Sequence, residues 1–172
     1  MSKNITKKIE KDTALPSTLK VVFEMWNALP RQPDLPLSSG FSLEYIPSKL
    51  LPWSVLVDVH DDPLDFQLRF WGTARTNLIG AEMTGKFLSD IASNAMREGN
   101  YEEYKEVCRN RQAVLCQTPI LRRSGIYSTR TSMRLPLSRD GVHVSQIYSV
   151  IDPDTITQDH YDYYGTMPKK GL

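Results

Sequence analysis

The sequence lacks several features that would place the protein in a large functional class. It has two cysteines, Cys108 and Cys116, and the seven residues between them form neither a metal-site nor a redox spacing. No run approaches the ~20 apolar residues that a membrane-spanning helix requires, so we expect no membrane partner. The N-terminus also has no apolar core of a secretion signal, and we therefore expect a cytoplasmic protein.

An excess of charge of either sign is also missing. The 172 residues include 21 basic and 20 acidic side chains, which gives a formal net charge of +1. Binding to the backbone of nucleic acids depends on uncompensated basic residues, so we expect no nucleic-acid partner. The length fits one domain with extensions.

A nucleotide-binding loop is only half present. Residues 80–87, GAEMTGKF, match the glycines and lysine of a phosphate-binding loop, but Phe87 stands where the magnesium-binding hydroxyl belongs. The run that leads into Gly80 has helical rather than strand spacing. We therefore interpret Gly80 and Gly85 as turn residues, and we expect Thr84 to bond a nearby backbone group.

Periodicity predicts an α+β order of elements. A helix over 15–30 carries an apolar stripe, and a proline-rich connector follows. Two strands, several short helices, a longer helix over 98–112 and three more strands come next. The predicted strands are 53–60, 66–73, 113–123, 128–138 and 142–152. The predicted divisions are a flexible start (1–14), the helix and connector (15–52), a core domain (53–152) and a tail (153–172).

Several short motifs add a resemblance to this order. A leucine-proline pair precedes the first strand, and the first hairpin reads "DV…DP…F". Arg69, Gly72 and Thr73 form "R-x-x-G-T", and Gly80, Thr84 and Gly85 form "G-x-x-x-T-G". Together they resemble a family of small bacterial proteins that consist of a single PAS domain. The resemblance covers about residues 20–152.

The resemblance implies a five-stranded antiparallel sheet with helices packed on one face. It implies a sensory role in bacterial signalling, a homodimer formed through the N-terminal helix, and output through a signalling-protein partner. The dimer residues would be Leu19, Val22, Phe23 and Trp26. A small hydrophobic or aromatic ligand would lie between sheet and helices, against Leu68, Phe70, Leu78, Ile79, Phe87, Leu88, Tyr104, Cys108, Thr131, Met133 and Leu135.

Two alternatives to a ligand sensor stay open. The protein could be a pure interaction module whose core is filled by its own side chains. It could also be a small hydrolase that uses hydroxyl groups of residues 124–132 with His143.

We predict no cofactor and no metal. The resemblance implies that covalent flavin would need a cysteine in the helix after the second strand, and residues 73–90 hold none. It also implies that haem would need a histidine near the long helix, and none lies there. Asp58, Asp61, Asp62 and Asp65 are interpreted as a solvated turn.

The arginines leave two interpretations open. Arg69 is expected to bond Glu82 or Asp90, or to face a ligand. A larger set on the last strands would either decorate a solvated surface or bind an anionic ligand or partner. That set is Arg122, Arg123, Arg130, Arg134 and Arg139.

Overall fold

The structure is a computed structural model that describes residues 4–91, 94–121 and 124–165, and the side chains of 94–99 lie outside this description. The described residues form a sheet of six strands in the order β1-β4-β5-β6-β2-β3, with every neighbouring pair antiparallel. The strands are β1 (Ile5–Lys8), β2 (Ser54–Asp61), β3 (Leu64–Trp71), β4 (Val114–Leu121), β5 (Tyr127–Leu137) and β6 (Gln146–Ile151). The helices are α1 (Ser17–Asn27), α2 (Thr73–Ile79), α3 (Asn94–Asn110) and α4 (Gln158–Gly165).

The predicted α+β class is confirmed, and strands β2 to β6 correspond to the five that the sequence predicts. The sixth strand corrects the prediction of a flexible start. Ile5–Lys8 pairs with β4, and Ile9 continues the contact with a backbone bond to Ala113. Polar residues are compatible with this edge position because one side of an edge strand faces water.

The sheet is covered on both faces. The inner face packs against α2, α3 and α4 and contributes Val57, Phe66 and Leu68 to one apolar cluster. The outer face packs against α1 and the connector and contributes Leu56 and Leu135 to a second cluster. Apolar residues therefore point to both sides, so hydrophobicity alone does not identify the inner face.

Helix α1 packs on the outer face of its own chain. It begins at Ser17 with Pro16 at the N-cap. Leu19, Val22 and Trp26 are buried, and the Trp26 indole N–H donates to the carbonyl of Pro136 at 2.8 Å. These predicted dimer residues are thus already covered.

The C-terminal segment, which the sequence analysis gives as a tail, contains a docked helix. The sequence shows no period there, yet a short turn leads into α4, which packs on α2. Tyr164 is buried in the inner cluster, which explains how a polar helix of this length is held. None of the described helices is long and apolar enough to span a membrane.

Candidate functional site

The predicted ligand-cavity residues divide between the two faces of the sheet. Most belong to the inner cluster, where the long helix packs against β3. These are Leu68, Leu78, Ile79, Leu88 and Tyr104, with Cys108 packed at the edge of the cluster. Phe87 is half-buried, and its ring lies 5.1 Å from that of His60.

The prediction that Phe70, Met133 and Leu135 lie on the inner face with Leu68 is wrong. Met133 and Leu135 belong to the outer cluster, and Phe70 is half-buried and packs against it. A bulge lies between Leu56 and Val57, which pair with Phe70 and Leu68. The extra residue turns Phe70 away from Leu68.

The two sides of β5 are exchanged relative to the prediction, which puts the apolar residues inside and the arginines at the surface. Thr131 shares the alternation of Met133 and Leu135 and therefore belongs to the outer side. The arginines between them point inward to α3 and α4, as the contacts of Arg130 and Arg134 show. The sequence analysis assigns these arginines to a solvated strand pair or an anion site, and burial excludes the solvated interpretation for both.

Three arginines thus lie within the inner face, and we call Arg75, Arg130 and Arg134 the arginine cluster. Their exposed fractions are 5%, 9% and 1%, although arginine is rarely buried without a charged partner. Arg75, which the sequence analysis did not select, reaches the cluster from α2. Arg122 and Arg123 lie outside the described residues.

Arg134 has a strong anionic partner. Its Nε donates to Glu103 Oε2 at 2.7 Å and its Nη1 to Ser149 Oγ at 2.9 Å. The guanidinium carbon also lies 4.2 Å from the centroid of the Tyr104 ring. Burial is the largest single influence on the pKa of Arg134 and would lower it. The charges of Glu103, Tyr104 and Cys116, together with the Glu103 hydrogen bond, outweigh burial, and the pKa is raised. Burial raises the pKa of Glu103, whereas the charge of Arg134 lowers it. The net effect is a lowered pKa.

Arg75 has only neutral partners among the described residues. Its Nε donates to the carbonyl of Trp53 at 3.2 Å, and its Nη2 lies 3.4 Å from Ser149 Oγ. Burial lowers the pKa of Arg75 to about 9, and the charges of Arg130 and Arg134 act in the same direction. Arg75 therefore still carries its positive charge at neutral pH.

Arg130 is bonded in a similar way. Its Nη1 donates to the Tyr164 hydroxyl at 2.8 Å and its Nη2 to Thr118 Oγ1 at 3.2 Å. Its Nε is buried and has no partner among the described residues.

The cluster is costly in electrostatic free energy. Each buried ion loses several kcal/mol of solvation. A cation over an aromatic ring recovers about 0.5–2 kcal/mol, and each arginine of the cluster lies over one such ring. Since Glu103 is the one carboxylate bonded to the cluster among the described residues, two positive charges stay without an ion partner.

A cavity of about 270 Å³ lies on the outer side of the molecule, between α1 and the connector. We call it the α1 cavity. Aliphatic and aromatic side chains wall it, with Ser42 and Tyr45 as the hydroxyl groups of its lining. This lining has the apolar and aromatic character that the sequence predicts for a ligand site, but on the opposite face. Its wall includes Val22, Met25, Trp26, Leu29, Phe41 and Ile46.

The glycines of the motif have structural roles. A Cβ on Gly72 would lie 2.1 Å from the carbonyl oxygen of Pro52, so only glycine permits this approach at the start of α2. Gly80 ends α2 with φ of 76° and Gly85 has φ of 84°, which confirms both as turn residues. Thr73 is the first residue of α2 and not its N-cap.

The polar motif residues bond differently from the prediction. The Thr84 hydroxyl donates to the carboxylate of Glu82 at 2.6 Å rather than to a backbone group. Arg69 bonds Asp58 at 3.2 Å, across the hairpin, rather than Glu82 or Asp90.

The hydrolase alternative receives no geometric support at His143. Its Nδ1 lies 2.8 Å from Asp140 Oδ2, in the exposed turn between β5 and β6. The hydrogen bonds from His143 and its neighbours hold the pKa of Asp140 below its usual range. The described contacts of His143 are thus with its own turn and not with residues 124–132. Among the described residues, no group of three or more His, Cys, Asp or Glu could hold a metal ion.

Comparisons with known proteins give distant structural neighbours. No family model matches the chain, and no curated protein matches it either. An RNA-binding light-oxygen-voltage (LOV) receptor is 13% identical with a TM-score of 0.44, over 95% of this chain and 42% of the receptor. A fungal LOV domain photoreceptor is 13% identical with a TM-score of 0.41, over 80% of this chain and 91% of the photoreceptor. The chain thus spans less than half the length of the first of these neighbours.

Proposed function

We propose that this protein is a non-catalytic sensory module of the bacterial single-PAS-domain family, and that it binds a small apolar or aromatic molecule in the α1 cavity. The main support is the cavity itself, with its volume of about 270 Å³ and its aromatic and aliphatic walls. Typical small-molecule pockets start at about 300 Å³, so the α1 cavity suits a ligand of one or two rings.

The position of the cavity suggests how binding would be transmitted. Its walls come from α1 and the following residues 28–30 on one side, and from the segment 40–46 on the other. A ligand would therefore hold these two elements together. Binding would thus change how tightly α1 packs against this segment. We propose that a signalling partner detects this change.

The chemistry of the lining favours binding over catalysis. Among its described residues it offers two hydroxyl groups, from Ser42 and Tyr45, and no carboxylate, imidazole or thiol. General acid–base catalysis depends on such titratable groups. The cavity can thus orient a ligand with one or two hydrogen bonds, while its apolar walls supply most of the affinity.

The test is a titration with N-phenyl-1-naphthylamine, an apolar probe whose fluorescence rises in an apolar site. Ala28 lines the cavity, and Ala28→Phe would fill part of it. Val21 lies on α1, whose C-cap is Ala28; it is 46% exposed and is not part of the lining, so Val21→Phe is the matched control. We expect saturable binding by the unmodified protein and by the control, and at least tenfold weaker binding by Ala28→Phe. Equal binding by both variants, or none by the unmodified protein, would refute the proposal.

Native mass spectrometry of the freshly purified protein complements the titration. Extra mass of a few hundred daltons per chain would identify a copurified ligand, which should be absent from Ala28→Phe.

The homodimer and the signalling partner are part of the proposal. Since Leu19, Val22 and Trp26 are buried, a dimer through α1 would have to use its exposed face, where Val21 lies.

A further inference from the structure

The arginine cluster holds more buried positive charge than the described residues compensate. Arg134 bonds the carboxylate of Glu103, whereas Arg75 and Arg130 bond only carbonyl and hydroxyl oxygens. A guanidinium stays protonated at neutral pH. Buried charges in proteins are normally paired or bound to an ion, and within the described part of the chain Arg75 and Arg130 have no such partner bonded to them.

Uncommitted hydrogen-bond donors accompany this charge. Arg130 Nε, Ser132 Oγ and Trp71 Nε1 are buried and bond no described group. Ser132 lies between Arg130 and Arg134 on β5 and shares their side of the strand. The guanidinium of Arg75 lies 5.2 Å from the centroid of the Trp71 ring. An excess of donors beside unpaired cations is the composition that recognises an anion.

We propose that Arg75 and Arg130 bind one small oxyanion, a carboxylate or a phosphate, between β5, α2 and α4. Each planar guanidinium can donate two parallel N–H bonds to such a group. Arg130 is 9% exposed and is the most accessible of the three arginines. The site lies on the opposite face of the sheet from the α1 cavity and does not depend on a ligand there.

The experiment measures thermal unfolding of the full chain at equal ionic strength in chloride, inorganic phosphate or acetate. A bound anion stabilises the folded state in proportion to the logarithm of its concentration above Kd. Arg130→Met removes one cation of the site and keeps an apolar stem. Arg69→Met is the matched control, because the Arg69 side chain is 55% exposed and pairs with Asp58 on the surface.

We expect the unfolding midpoint of the unmodified protein and of Arg69→Met to rise by several degrees in phosphate or acetate. Arg130→Met should lose this rise, and in chloride it should unfold no earlier than the unmodified protein. A response to acetate alone identifies a carboxylate site, and a response to phosphate alone identifies a phosphate site. The same rise in all three proteins, or no rise with either anion, overturns the proposal.

Equilibrium dialysis of the unmodified protein gives a result that does not depend on a variant folding. Labelled phosphate or labelled acetate should bind with a stoichiometry of one anion per chain. If the site accepts both oxyanions, the unlabelled second anion should displace the labelled first. Retention no greater than that of Arg69→Met denatured in urea would also overturn the proposal. A failure here would leave probe binding in the α1 cavity unaffected.

Discussion

Glu103 is the residue whose replacement should affect the inner face most. Its carboxylate bonds Arg134. The positive charge of Arg130 also lowers the pKa of this carboxylate. Glu103→Gln keeps the shape of the side chain but leaves the buried arginine cluster without its carboxylate. Removing one partner of a buried ion pair costs about 3–5 kcal/mol. Such a loss is a large part of the ~5–15 kcal/mol that stabilises a typical domain.

Urea unfolding at neutral pH measures this loss. With a slope of about 2 kcal/mol per molar urea, the midpoint should fall by roughly 1.5–2.5 M. Glu102→Gln is the matched control, since Glu102 is the neighbouring acid, is exposed and pairs with Lys105 on the surface. That pair should be worth about 0–1 kcal/mol. Equal effects of the two substitutions would refute the electrostatic interpretation of the inner face.

The pH dependence of stability gives an independent readout of Glu103. Its pKa is lower in the folded state than in the unfolded chain, so its contribution is fully present above the unfolded value of about 4.3. The contribution is lost as pH falls through the folded pKa. The unmodified protein should therefore lose stability below about pH 4.3 more steeply than Glu103→Gln. Parallel pH profiles of the two proteins would contradict the prediction.

Three further predictions concern other parts of the structure. Trp26→Phe removes the indole N–H that bonds a β5 carbonyl. Urea unfolding should show that the free energy of unfolding falls by about 1–3 kcal/mol. An unchanged midpoint would mean that α1 does not pack there. Gly85→Ala places a Cβ in open space and should cost about 1–2 kcal/mol for its positive φ, whereas Gly72→Ala overlaps a backbone carbonyl and should abolish cooperative unfolding in circular dichroism. Equal effects of the two glycine substitutions would refute this difference. Burial raises the pKa of Cys108 and of Cys116 to about 12, so at pH 8 roughly one thiol in ten thousand is ionised. Ellman's reagent should react far more slowly with the native than with the unfolded protein, and equal rates would contradict the burial of Cys116 and the partial burial of Cys108.

Local patterns in the sequence are sufficient for most of the secondary structure. The apolar stripe of α1, the β-branched run of β2 and the glycine that ends α2 are set by neighbours within a few residues. The order of helices and strands, and with it the α+β class, follows from these signals. Strand β1 and helix α4 carry no such signal, because their burial comes from β4 and α2, which are distant in the chain.

The sequence could not decide which face of each strand is the inner one. Alternation along β5 places Arg130 and Arg134 on one face of the strand and Met133 on the other. Which side faces α3 depends on α1 covering the other side, so that apolar residues such as Met133 are buried away from the predicted site.

The sequence by itself therefore determined the elements between α1 and β6, their order and the chemical types available for a site. Only the tertiary structure decided that Arg75 reaches the arginines of β5 from α2, and that the apolar cavity lies under α1. The physical reason is that periodicity and turn chemistry are local, whereas burial and charge compensation depend on segments that meet only when the chain is folded.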